Sequence, residues 1–202
     1  MTASPLRSSP AARRALLGAL LLSAAMAPVL RAQAPAPRWQ FRLANGSLLP
    51  TGAQRDALKR APVLAAQLSR TLAPTLAVVG TFGWARSRDL ATVDATKLDI
   101  FSADLGLEAT ASTRQLSKTF SFTPLVGLGS GVRYYNHRHL AVDETTTLGG
   151  YVAAGGELDI GRVGVRLEVR DYLTNFTPLI AGGRSSVRNE VMLLGALRIK
   201  RR

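Results

Sequence analysis

The chain has 202 residues, 47% of them hydrophobic and 19% charged, which fits one folded domain and argues against disorder. It has no cysteine, so disulfides, thiolate metal sites and thiol catalysis are excluded. The net charge is +13, but the cations are scattered; a nucleic-acid surface would need a basic stripe with interleaved aromatics, so no nucleic-acid partner is expected.

The first element is a leader. Arg7, Arg13 and Arg14 form a basic start, Ala15 to Leu30 is an apolar stretch, and Ala32-Gln33-Ala34 supplies small residues for cleavage. A signal peptide over residues 1–34 is therefore expected, with cleavage after Ala32 favoured because cutting after Ala34 would put Pro35 first. Arg13-Arg14 also fits a twin-arginine signal, but an ordinary basic region explains it equally well. Loss of the leader's Arg7, Arg13, Arg14 and Arg31 takes the net charge from +13 to +9.

The body, residues 35–202, reads as strands of period two, and no apolar run approaches the roughly 20 residues of a spanning helix. Trp39 to Leu49 sets Trp39, Phe41 and Leu43 against Gln40, Arg42 and Ala44. Pro62 to Thr71 sets Leu64, Ala66 and Leu68 against Ala65, Gln67 and Ser69. Thr75 to Ala85 sets Leu76, Val78, Phe82 and Trp84 against Thr75, Ala77, Thr81 and Gly83. Leu98 to Ala111 sets Phe101, Ala103, Leu105 and Leu107 against Ser102, Asp104, Gly106 and Glu108. Thr119 to Tyr135 puts Phe120, Phe122, Val126, Leu128, Val132 and Tyr134 on one face and Gly127, Gly129, Gly131 and Arg133 on the other. Thr146 to Asp159, Arg162 to Tyr172 and Val187 to Arg198 complete eight strands with the same segregation.

Two passages conflict with this pattern. Leu64, Leu68 and Leu72 also fall at helical spacing, but Pro62 and Pro74 bracket them too closely, which favours a strand. Asn45-Gly46 is a strong hairpin signal inside the first strand. A turn there would leave a very short return strand before Pro50, so a bulge or kink is expected.

The connections alternate in length. Leu72 to Pro74, Ser112 to Lys118 and Ile160-Gly161 are short or moderate; Pro50 to Ala61, Arg86 to Lys97, Asn136 to Thr145 and Asn175 to Ser186 are long and polar. An up-and-down antiparallel barrel in an outer membrane has this alternation, with both termini on the short-turn side. The charge-free apolar face of every strand has no second layer to cover it, so lipid is its natural solvent. The opposite face carries Arg42, Asp104, Glu108, Arg133, Glu157, Asp159, Arg166, Glu168, Arg170 and Glu190. In an eight-stranded barrel these point into a lumen just wide enough to be filled by side chains. A paired charge network is expected there, with Gly127, Gly129, Gly131 and Gly155 making room for long arginine and glutamate side chains.

On these residues the chain resembles the small outer-membrane β-barrels of the outer membrane protein A, X and W type, over about Trp39 to Arg198. Strand pattern, loop alternation and aromatic placement (Trp39, Phe82, Trp84, Phe120, Phe122, Tyr134, Tyr172) carry the resemblance, not a sharp motif. It implies insertion by the barrel-assembly machinery into the outer membrane of a Gram-negative-type bacterium. Many such chains end in an aromatic residue, whereas this one ends Leu197-Arg198-Ile199-Lys200-Arg201-Arg202.

Candidate chemistry is sparse. His137 and His139 share strand parity and could hold a metal with Asp143 or Glu144; a polar rim loop accounts for them equally. Ser130, a loop histidine and Glu144 are the residue types of a serine hydrolase without its spacing. Gly127 to Gly131 lacks the lysine and helix of a phosphate loop. No catalytic residue, cofactor or metal is assigned. The expected protein is a monomeric, non-enzymatic outer-membrane barrel, structural or acting through four long loops, with lipid and lipopolysaccharide as partners. A narrow channel or hydrophobic-molecule conduit, a lipid-modifying enzyme and a soluble lipid-carrying barrel are the alternatives.

Overall fold

The computed structural model describes residues 39–199 apart from 91, 93, 139–144, 162 and 177–185. The leader expected over residues 1–34 lies outside the described residues. Nine strands follow one another: β1 (Trp39–Pro50), β2 (Ala61–Ala73), β3 (Leu76–Arg88), β4 (Lys97–Thr110), β5 (Arg114–Gln115), β6 (Phe120–His137), β7 (Thr145–Ile160), β8 (Val163–Phe176) and β9 (Ser186–Ile199). The sheet order is β4-β3-β2-β1-β9-β8-β7-β6-β5, and β4 also pairs with β6, so the eight long strands close into an antiparallel barrel. The two residues of β5 prolong the β4–β6 hairpin, with Arg114 opposite Phe122.

Closure removes sheet edges, which is how a barrel satisfies its backbone without water. The strand ends at 73 and 76, 115 and 120, and 160 and 163 lie where β1 begins and β9 finishes. The strand ends at 50 and 61, 88 and 97, 137 and 145, and 176 and 186 lie at the other end, as the loop alternation predicts. No helix among the described residues is long and apolar enough to cross a membrane, and the first long connection holds a short 3-10 turn, Gly52–Asp56.

Both ambiguous passages resolve as strand. Ala61–Ala73 pairs with β1 and β3 along its length. A leucine spacing of four keeps a side chain on one face of a strand as well as of a helix, so that spacing alone did not discriminate. The bulge or kink expected at Asn45-Gly46 is not found: Asn45 faces Leu64 and Gly46 faces Val63 in unbroken register. Gly46 serves close packing instead, because a Cβ there would run into the Leu193 carbonyl of β9. The register shift lies on β2, between Thr71 and Ala73.

The outward face is apolar around the whole wall. Phe41 is 65% exposed, Leu105 63%, Leu128 62%, Leu167 64% and Leu197 70%. Arg133, Arg166, Glu168 and Arg170 are buried on the inner face. This is the reverse of a water-soluble barrel. Aromatic residues gather near both rims of the outer face: Trp39 beneath Arg70 at the short-turn end, and Phe82, Phe101 and Tyr134 in a row of ring contacts toward the long-loop end. Tyr172, one of the aromatics that carry the resemblance, is buried inside; its parity with Arg166, Glu168 and Arg170 carries it to the lumen.

Replacing Leu105 with arginine is expected to destabilise the barrel in lipid vesicles by about 2–4 kcal/mol if the position lies near the bilayer midplane. Urea titration of folded L105R against the parent measures it, and an unchanged midpoint would contradict the assigned face.

Candidate functional site

The interior is built by every second residue of each long strand, and it combines a charge network with an apolar cluster that includes Leu48, Val63, Ile100, Met192 and Leu194. Arg42, Asp104, Glu108, Arg133, Arg166, Glu168, Arg170 and Glu190 are all buried there, four arginines against four carboxylates. Glu157 and Asp159 are half-buried at the short-turn end.

Three tiers connect these groups along the axis. At the short-turn end Arg198 of β9 pairs with Glu157 and, at 3.2 Å, with Asp159 of β7. In the middle, Arg166 donates from Nη1 to Glu108 at 3.0 Å and from Nη2 to Glu168 at 2.8 Å. Arg170 Nε donates to Glu168 at 2.5 Å, and Gln67 Nε2 to the same carboxylate at 3.4 Å. Arg170 also donates to Thr81 at 3.0 Å and to the Tyr172 hydroxyl at 3.2 Å; that hydroxyl donates to Asp104 at 2.8 Å. Toward the long-loop end Arg133 Nε donates to Glu190 at 2.7 Å, and its guanidinium lies 4.0 Å over the Tyr172 ring. Gln54 of the 3-10 turn donates to the second Glu190 oxygen at 3.3 Å. One loop thus caps the network from above.

Such pairing is what allows these charges to leave water, since an uncompensated buried ion is strongly destabilising. Side chains fill the axis. A cavity of about 220 Å³ occupies the short-turn end, and beside Arg133 and Glu190 a void of about 10 Å³ has room for one water. The interior glycines make room for partners other than those expected. A Cβ at Gly106 or Gly129 would strike the Tyr151 ring, and one at Gly131 would strike Asp104. Tyr151 in turn lies beneath Arg170, 4.8 Å from its guanidinium. The tyrosines, Gln54, Gln67, Thr81 and Arg198 were absent from the expected network. Parity had put several of them on the inner face, but charge alone had selected the members.

The remaining candidates are dispersed. His137 is buried at the long-loop end with Nε2 3.1 Å from Asp89 Oδ2, while His139, Asp143 and Glu144 lie outside the described residues. Among the described residues no three His, Cys, Asp or Glu side chains gather as a metal site. Ser130 is exposed on the outer wall and His137 faces the lumen, on opposite faces of β6, so the two cannot act together.

A second polar feature lies outside, at the long-loop rim. Lys59, Arg60, Arg86, Ser87, Arg88 and Lys97 line a groove of about 260 Å³. Beside it, Asp99 is covered by Arg86, Arg138 and Trp84, so the exposed charge is basic.

A closed antiparallel barrel of eight long strands with an apolar wall and an ion-paired core defines the class: this is the fold of the small outer-membrane β-barrels. Among solved structures, Neisserial surface protein A (NspA) has that fold at a TM-score of 0.57 and 11% identity, over 83% of this chain and all of that one. Ail, the attachment invasion locus protein of Yersinia pestis, overlaps 80% of this chain and 97% of its own at 12% identity, with a TM-score of 0.39. No protein-family model and no curated protein matches the sequence.

Removing one member of the Arg133–Glu190 pair is expected to cost about 3–5 kcal/mol, and replacing both with apolar residues to restore most of it. Equilibrium unfolding of R133M, E190M and the double variant tests this. Single variants as stable as the parent would show that the pair does not hold the core.

Proposed function

We propose that this protein is an exported, monomeric, non-enzymatic outer-membrane barrel that meets its surroundings through the long-loop end. The observation that carries the reading is the inverted polarity of a closed wall. Exposed leucine and phenylalanine encircle the outside, and buried arginines are paired with carboxylates within. Hydrocarbon is the solvent that stabilises such a surface, and a filled polar axis supports a structural core rather than an open aqueous pore.

The four long connections then face the cell exterior together with the basic groove of Lys59, Arg60, Arg86, Arg88 and Lys97. Phosphate groups of surface lipopolysaccharide suit that groove, which sits above Trp84 and the aromatic row, where headgroups meet acyl chains. Insertion by the barrel-assembly machinery and export by the leader complete the proposal.

The membrane fraction is expected to require detergent for extraction, to migrate differently on gels before and after heating, and to give silent planar bilayers. Release by high salt would favour a soluble carrier, and stepwise conductance would favour a channel.

A further inference from the structure

The seam that closes the barrel is paired over only part of its length. Pairing of β1 with β9 runs from Pro50 opposite Glu190 to Ala44 opposite Ala196, and stops there. Both strands continue: β1 stays paired to β2 as far as Trp39, and β9 to β8 as far as Ile199. Extending the register would set Leu43, Arg42 and Phe41 opposite Leu197, Arg198 and Ile199. None of those rungs forms. The other seams stay paired to the short-turn end. Arg42 would face Arg198 across this one, and like charges directly opposite destabilise a strand pair.

The open stretch is a groove of about 550 Å³ in the outer wall. Phe41, Leu43, Val165 and Leu197 line it, Gly195 contributes no side chain to fill it, and Arg42 stands at its inner edge. Arg42 also lines the 220 Å³ cavity of the lumen, so this residue borders both wall and interior. It is 8% exposed. Its Nη2 donates to Gln40 Oε1 at 2.8 Å, while its Nε and Nη1 have no hydrogen-bond partner. Among the described residues Arg133, Arg166, Arg170 and Arg198 are ion-paired, whereas Arg42 is in no ion pair. Arg198 Nε also lacks a hydrogen-bond partner.

We propose that the open half of the β1–β9 seam is a lateral binding site for a single-chain anionic amphiphile such as a long-chain carboxylate, with Arg42 as its headgroup partner. The proposal rests on the membrane reading above. A carboxylate there accepts hydrogen bonds from the unused N–H groups of Arg42 and offsets the repulsion between the two arginines. The acyl chain lies along Phe41, Leu43 and Leu197, in a slot one strand seam wide, which is why a single chain is specified. The phosphate of a phosphocholine headgroup could accept from Arg42 only by bringing its tethered trimethylammonium cation into the slot.

Photolabelling tests this with the mature chain folded in dioleoylphosphatidylcholine vesicles that carry trace diazirine-bearing palmitate. Label is expected on peptides containing Phe41–Asn45 and Gly195–Leu197. R42Q should reduce it about tenfold, the loss of one charged hydrogen-bonding partner. Gly195→Phe keeps Arg42 but fills the slot; an outward side chain there meets only ordinary contacts, and labelling should fall equally. A diazirine lysophosphatidylcholine should label the wall without seam preference. Palmitate label spread evenly around the wall, or unchanged in both variants, overturns the site. Stronger seam labelling by a diazirine phosphatidylglycerol than by palmitate overturns the single-chain assignment. Heat-modifiable migration of each sample separates these results from failure of the membrane reading, which would appear as its loss in the parent.

Discussion

Ionic side chains on strands surrounded by hydrocarbon have one favourable direction, which is toward the barrel axis and one another. Everything else in this molecule follows from that requirement. Arginines and carboxylates share the interior, and the pairs join strands distant in sequence: Arg133 of β6 with Glu190 of β9, Arg166 of β8 with Glu108 of β4. Each such pair favours one register of the strands that supply it, because a slip of one strand by one residue would turn its partner outward and leave the other charge unpaired. Gly106, Gly129 and Gly131 belong to the same constraint, since a full-width Tyr151 and Asp104 need the space that side chains there would take.

Among the described residues Arg42 is the buried arginine in no ion pair, and it lies where the sheet parts. Arg42 and Arg198 would be cross-strand neighbours, and the β1–β9 ladder ends two rungs earlier, at Ala44 and Ala196. Arg42 lines both the groove in the wall and the short-turn cavity. Paired ions occupy the middle of the lumen, and the β1–β9 seam is unpaired along its lower flank. At the opposite rim, the basic groove depends on Asp99 being covered by Arg86 and Arg138, which leaves Lys59, Arg60, Arg88 and Lys97 to set the sign of the surface.

Much of this was legible in the sequence because strand parity is a two-valued property. Once Leu105 is outward, Asp104 and Glu108 must be inward, and the alternation of short and long connections orders the strands. Parity also placed Gln67 and Thr81 correctly, yet it assigns a face and not a partner. That Tyr151 occupies the space left by Gly106 and Gly129, or that Gln54 reaches Glu190 from a loop, depends on register between strands far apart in the chain. Asn45-Gly46 misled for a related reason. A dipeptide that turns readily also fits a strand where another backbone approaches closely, and only the neighbouring Leu193 carbonyl distinguishes the two. The break in the β1–β9 ladder was invisible for the same cause, because Arg42 and Arg198 become neighbours only when the first strand meets the last.

The most direct test of the inverted wall is the contact of native side chains with acyl chains. In nuclear Overhauser spectra of the folded protein in lipid nanodiscs, the methyls of Leu105, Leu128 and Leu197 should show cross-peaks to the lipid methylene resonance. Those of Leu48, Met192 and Leu194, which are buried within, should show none. Cross-peaks from the second group with silence from the first would contradict the account at its root.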